Sequence, residues 1–435
     1  MRHAILSATL AGLATGSLTG QSLYFPPIGQ SAWDTLDPSS LGWCPDRVDS
    51  LIDFVGARNT KAFLILKDGK IVIEHYYGTF TQDSLWYWAS AGKTLTAMLT
   101  GIAQEEGLLD IDLPSSTYLG TGWTSCAPQQ EAQITVRDQL TMTTGLDDGV
   151  PDDDCTDPAC LQYLADAGTR WAYHNAPYTL LDDVIANAAG TTFSSYFNTR
   201  IRNKVGMDGF WFPGGSPYNN VYFSKARSMA RYGLLALNRG IWSTDTVLHE
   251  TAYFTAMTTP SQGLNESYGY LWWLNGQPTY MLPGLQFAFP GPAMPDAPVD
   301  MVCGLGKNDQ LLNVVPSRNM VVVRMGNEAY GALSVATIFN NEIWQLIEQL
   351  PCATPVDTRE PDDGWGLHPN PATDMVRVML PPGAVRTDVE LRDDLGRMVP
   401  VRWTGEGLDL SGLAAGVYAV RIRGEGPMVR RLIKH

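Results

Sequence analysis

The sequence predicts an α/β fold in which strands from both ends of a long domain build one antiparallel sheet around a helical middle. A small all-β, sandwich-like domain follows it. Three observations carry this expectation. Two apolar runs, Phe63–Leu66 and Ile71–Ile73, are joined through Lys67-Asp68-Gly69-Lys70. Asp-Gly between apolar runs is a hairpin signal, because glycine takes the positive φ that a tight turn requires. Far downstream, Leu311–Val315 and Met320–Met325 read as a second hairpin across Pro316-Ser317-Arg318-Asn319. Beyond residue 365 the texture changes to short alternating runs (Met375–Leu380, Val389–Arg392, Val417–Ile422) separated by Gly, Pro and Asp.

Taken in order, residues 1–20 read as a secretory signal. Arg2 and His3 precede a small-residue apolar run from Ala4 to Leu18, with Gly20-Gln21 as the cut. The run is too short and too rich in Ala, Gly, Ser and Thr to span a membrane, and nothing later approaches a span. Residues 21–43 form an extension over the surface, and residues 44–352 form the main domain, opening on a helix over Cys44–Val55. The spacing of Leu95, Met98, Leu99 and Ile102 predicts a helix over Thr94–Glu106 with one apolar face and Gly107 as its stop. A strand is expected over Tyr268–Leu274. The closing amphipathic helix is expected over Ser334–Leu350, with Ile338, Trp344, Leu346 and Ile347 among its apolar positions. Residues 353–365, with Pro, Thr and acidic side chains, read as a linker before the all-β domain of residues 366–435.

Hydrophobic content of 44% with 17% charged residues describes a globular chain. A net charge of −15 with no long basic run argues against a nucleic-acid partner. The charge is uneven: residues 366–435 carry +2, which leaves −17 for the rest. Six cysteines fit an oxidising destination. Cys155 and Cys160 can close a small loop, and Cys44 and Cys352 can staple the ends of the main domain; Cys126 and Cys303 are left over, and the connectivity stays open. No Cys-x-x-Cys or His-x-x-x-His spacing supports a metal site, and no cofactor is expected.

The chemistry centres on Trp88-Ala89-Ser90-Ala91-Gly92-Lys93. Ser90 and Lys93 are three residues apart in what should be a first helical turn, where side chains at that spacing share a face. A serine hydroxyl is a poor nucleophile until a base takes its proton, and a buried lysine is neutral enough to do so. The helix N-terminus adds free N–H groups and a positive end.

Two further stretches follow in order: Tyr173-His174-Asn175 before the helical run Leu180–Ala189, and Gly304-Leu305-Gly306-Lys307-Asn308-Asp309-Gln310 before the second hairpin. With Ser90-Ala91-Gly92-Lys93 and the connecting phrases Leu140–Leu146, Ser224–Leu234 and Tyr268–Trp273, they resemble the β-lactamase-related serine hydrolases. Within these, the chain is more similar to class C-like esterases and 6-aminohexanoate-dimer hydrolases than to true β-lactamases. The resemblance implies a β-lactamase/transpeptidase-like fold over roughly residues 44–350. It implies Ser90 as the acylated nucleophile, Lys93 as its base, Tyr173 as a proton shuttle to the leaving group, and Asn175 as the residue that orients Lys93 or substrate. It also implies an oxyanion hole made by the N–H of Ser90 and one from Gly304–Gly306, near Leu305. The third motif departs from the Lys-Thr/Ser-Gly of β-lactamases and penicillin-binding proteins, because Gly-Leu-Gly stands there and Lys307 is displaced along the chain. This favours neutral esters or amides over β-lactams. Trp88, Trp171, His174, Trp272 and Lys307, with Trp86, Tyr87, Tyr178 and Trp273 nearby, are the candidates for the substrate pocket.

In the tail, Leu367–Ala372, Asp394–Arg397, Leu413–Tyr418 and Arg431–His435 resemble the C-terminal sorting domain of the type IX (Por) secretion system. The resemblance implies a bacterial protein that reaches the periplasm and is then exported by that machinery to the outer-membrane surface or beyond. The expected function is a secreted serine hydrolase of small esters or amides. The alternatives are a penicillin-recognising D-peptidase or β-lactamase, and a non-catalytic surface binding protein on the same fold.

Overall fold

The strands that build the main sheet come from opposite ends of the chain. Helix α1 (Pro45–Gly56) leads into β1 (Thr60–Lys67) and β2 (Lys70–Tyr76), joined where Asp68 and Gly69 both take positive φ. The short β3 (Trp86–Tyr87) precedes α2 (Lys93–Glu105), and α3 (Asn175–Thr179) is followed directly by α4 (Leu181–Ala189). Next come β4 (Phe210–Pro213), β5 (Asn220–Ser224) and α5 (Ala226–Leu237). Strands β6 (Trp273–Leu274), β7 (Val302–Gly306), β8 (Gln310–Val315) and β9 (Met320–Gly326) and helix α6 (Thr337–Ile347) complete the domain. The structure, a computed structural model, describes residues 23–213, 220–331, 336–352, 365–380, 383–393, 396–400, 402–405, 407–423 and 428–435. The expected signal of residues 1–20 and nearly all of the expected linker lie outside the described residues.

The six strands are all antiparallel in the order β2-β1-β9-β8-β7-β6. The two hairpins meet where β1 runs beside β9, from Thr60 opposite Gly326 to Lys67 opposite Met320. Every residue of β8 and β9 is buried, as expected of strands covered on both faces. Helix α5 lies on β1, β8 and β9, while α1 packs on β1 and α6. Gly233 allows the close approach of α5, because a Cβ there would stand 2.5 Å from Val321 and 2.8 Å from Leu312.

Two expectations are corrected. Helix α2 is buried around its whole circumference from Lys93 to Ala103, so Thr94, Thr96 and Thr100 are as enclosed as the apolar stripe. The strand expected over Tyr268–Leu274 shrinks to Trp273–Leu274, because Leu271 takes a φ of 59° and breaks the extended run. In α6, Trp344 and Ile347 are buried, but Ile338 is 54% exposed, and the expected start at Ser334 falls outside the described residues.

The chain divides into two compact units, Met1–Cys352 and Ala353–His435. Disulfides join Cys44 to Cys352 and Cys155 to Cys160, leaving Cys126 and Cys303 as free thiols. The second unit has two four-stranded sheets, one containing Gly366–His368 and Met375–Met379, the other Val389–Arg392, Gly416–Ile422 and Met428–Lys434. Its own core includes Trp365, Val376, Leu391, Leu408, Val420, Ile422 and Leu432. Among the described residues, no helix is long and apolar enough to cross a membrane.

Candidate active site

Ala89–Gly92 form a single 3-10 turn ahead of α2, and its entry is pinned from β5. The Trp88 N–H donates to the Tyr222 carbonyl and the Trp88 indole N–H to the Ser224 hydroxyl, both at 2.8 Å. Ala89 then takes a φ of 47°, a left-handed conformation that persists in a non-glycine residue only where the surroundings impose it. This turn presents Ser90, half-buried, to a cavity of about 780 Å³. Lys93, the first residue of α2, is 3% exposed and reaches the same cavity.

Lys93 Nζ donates to Asn175 Oδ1 at 2.9 Å and lies 3.6 Å from the centre of the Tyr178 ring. Burial drives its pKa down to about 7, against the charges of Asp154, Asp182 and Asp153, which favour the ammonium. Tyr173 stacks on Trp273 at 5.9 Å. Burial raises its phenol above the usual range, while the hydrogen bond with Ser90 pulls the other way. Tyr173 is therefore a protonated phenol at neutral pH.

The third motif is shaped by the absence of side chains. Gly304 and Gly306, two apart on a strand, share the face of β7 that meets the Ser90 turn. A Cβ on Gly304 would stand 3.2 Å from the Ala91 carbonyl oxygen, and one on Gly306 only 2.4 Å from that of Trp88. Among the described residues, strand β6 pairs only with Val302 and Cys303 and the outer edge of residues 304–306 has no strand partner, and Leu305 and Gly306 border the cavity. The turn that follows, with Asn308 and Asp309 at positive φ, is held from behind. Buried Arg324 donates to the carbonyls of Asn308 (2.8 Å) and Asp309 (2.9 Å), and Gln310 Nε2 to that of Asn308 (2.9 Å).

The structure thus brings Ser90, Lys93, Tyr173, Asn175, Leu305, Gly306 and Lys307 to one cavity, with Gly304 behind the Ser90 turn. Five pocket candidates are corrected, among them Trp86, which does not line the cavity and donates its indole N–H to the Gly326 carbonyl. Trp88, Trp171 and Trp272 are at most 1% exposed and belong to the core, where Trp272 stacks on Tyr232 and Trp171 packs on Tyr268. His174 is 2% exposed and points away, since successive side chains of an extended segment face opposite sides. The aromatic walls come from Tyr87, Tyr178 and Trp273, all three among the candidates, and from Phe223, which was not.

Sequence reasoning missed the carboxylates around Lys93. Burial raises the Asp154 carboxyl above its ordinary value, and its charge favours the Lys93 ammonium. Asp182, one turn beyond Tyr178, accepts from Asn220 Nδ2 at 2.7 Å, and burial pushes its carboxyl up to about 7. The available signal was the i, i+4 spacing of Tyr178 and Asp182 after Asn175.

Several solved structures share this fold. A protein described as a 6-aminohexanoate-dimer hydrolase from Bacillus anthracis superposes with a TM-score of 0.56 at 17% identity, covering 74% of this chain and 89% of its own. One described as a β-lactamase from Bacteroides dorei gives 0.55 at 16% identity, covering 71% and 99%. A penicillin-binding protein homologue from Caulobacter crescentus gives 0.51 at 15%, covering 66% and 93%. At such identities the likeness shows the fold alone. No curated protein matches the chain significantly. Residues 366–435 match the secretion system C-terminal sorting domain, which marks the chain for type IX export to the cell surface or extracellular space. Residues 48–340, the stretch that gathers the three motifs around one cavity, match the β-lactamase family, whose members are serine hydrolases, and the chain belongs to that family.

Proposed function

We propose that the main domain is a Ser-x-x-Lys hydrolase that acts through an acyl-enzyme on small esters or amides. One observation carries this reading: Lys93 is held by burial near neutrality, bonded to Asn175, one helical turn from Ser90 on the same cavity. Neutral Lys93 takes the Ser90 proton as Oγ attacks the carbonyl carbon. The oxyanion receives the Ser90 N–H and an N–H from the open edge of β7 at Gly304–Gly306. Protonated Tyr173 hands a proton to the leaving group and is replenished from Lys93. Water then attacks the acyl carbon, with the proton transfers reversed, and releases Ser90.

The test is the intact mass of the full chain after exposure to a fluorophosphonate, alongside Ser90→Ala. One adduct on wild type and none on the variant is expected. A well-folded wild type that takes no adduct overturns the reading and leaves a non-catalytic surface binding protein. Lys307 on the cavity wall supports a second reading, a carboxylate-bearing β-lactam or D-peptide substrate, which turnover of a chromogenic cephalosporin tests.

A further inference from the structure

Resting on the hydrolase reading, the cavity wall specifies the charge of the substrate. Asp148, Asp153, Asp154 and Glu328 line the cavity, against two lysines, Lys93 and Lys307. The charges do not balance. Asp148 is matched by Arg170 at 2.6 Å, and Lys93, its pKa brought down to about 7, is only half-protonated at pH 7. Three carboxylates therefore face Lys307 and a half-charged Lys93.

Asp154 lies at the centre of this excess. Its Oδ1 is shut off from water yet accepts no hydrogen bond. Oxygens of Asp152, Asp153 and Asp154 all lie within 4.8 Å of one another. A buried carboxylate oxygen without a donor is costly, and a cation seated beside it offsets that cost through its charge. A second feature points the same way. The same cavity has an aromatic wall, with Tyr173 stacked on Trp273, and Tyr87, Tyr178 and Phe223 lining the same space. Ring faces attract ammonium groups and do not attract carboxylates.

We propose that the site takes esters or amides bearing an ammonium group, seated against Asp153 and Asp154 and the Tyr173–Trp273 wall. A carboxylate-bearing substrate meets like charge at the same place, which counts against the β-lactam reading.

The experiment compares three p-nitrophenyl esters on the full chain: the 4-(trimethylammonio)butanoate, its neutral isostere the 5,5-dimethylhexanoate, and the glutarate monoester. At low salt the cationic ester should exceed the neutral one in kcat/KM by at least about tenfold, with the glutarate last. That preference should shrink in Asp153→Asn/Asp154→Asn and with added salt. The ratio of two esters on one variant cancels any change in Lys93 itself. A cationic ester no better than its isostere, or a ratio unchanged in the variant, overturns the proposal. Failure of hydrolysis is told apart by binding. In Ser90→Ala, benzyltrimethylammonium should quench tryptophan fluorescence through Trp273, and more weakly once both aspartates are replaced. Equal binding of the neutral neopentylbenzene would overturn the proposal whether or not the protein turns over any ester.

Discussion

Lys93 carries opposite consequences for stability and for chemistry. Its ordinary value of 10.5 falls to about 7 in the folded protein, with burial outweighing the pull of Asp154, Asp182 and Asp153. Between these pH values the unfolded chain binds a proton that the folded chain does not, so stability rises with pH across that window. Below about 7 the cost of enclosing the ammonium is felt in full. Lys93→Met should therefore raise the Tm at pH 6, and the gain over wild type should fade toward pH 10; a calorimetric series that shows no such convergence contradicts it. The same substitution should lower kcat by roughly a thousandfold or more, the scale of losing a base that acts only in the transition state. In wild type, kcat/KM should climb as pH passes through about 7, because only the neutral amine accepts the Ser90 proton. Ser90 and Lys93 were legible in the sequence because their relationship is local, one turn of one helix. Asp154 was not, because proximity to Lys93 belongs to the folded chain, and Asp182 left only its helical spacing from Tyr178 to read.

At the scale of elements, the proposed oxyanion hole depends on how closely β7 meets the Ser90 turn. Gly306→Ala would place a methyl 2.4 Å from the Trp88 carbonyl oxygen and drive the strand away from Ser90. The expected outcome is a kcat loss of about a hundredfold or more, with ~1–3 kcal/mol of stability lost to overpacking. Gly263→Ala, where a Cβ meets nothing within 4 Å, is the matched control and should alter neither. Sequence pattern located the three motif segments and named Tyr87, Tyr178 and Trp273, but not Phe223, among their aromatic surroundings. Trp272 and Trp273 are neighbours, yet only Trp273 lines the cavity while Trp272 stacks on Tyr232 in the core, and composition does not say which of two adjacent rings faces which way. Trp88 is adjacent to the motif yet serves as its anchor through Ser224.

At the scale of the molecule, the two ends of the main unit are closed on each other. The Cys44–Cys352 disulfide spans 308 residues, and the Cys44 N–H donates to the Leu350 carbonyl beside it. Loop-closure entropy for so long a span gives an upper bound of ~5–6 kcal/mol, reduced because the backbone bonds at the junction persist. Cys44→Ser/Cys352→Ser should lower the Tm by several degrees, while Ser90 still reacts with a fluorophosphonate at pH 7. Loss of labelling in the folded variant would mean that the junction shapes the site itself. The sorting domain makes a separate prediction. Deleting residues 366–435 in a host with type IX secretion should retain the protein inside the envelope, and fractionation followed by immunoblotting reads this directly.

By itself the sequence determined the hairpins, the two-part organisation and the order of the three motif segments. Each of these rests on short-range rules: turn chemistry, periodicity and helical spacing. Only the tertiary structure decided the protonation of Lys93, the open edge of β7 and the acidic, aromatic character of the cavity. Those depend on which groups share a low-dielectric space, and chain segments more than a hundred residues apart in the sequence enclose that space together.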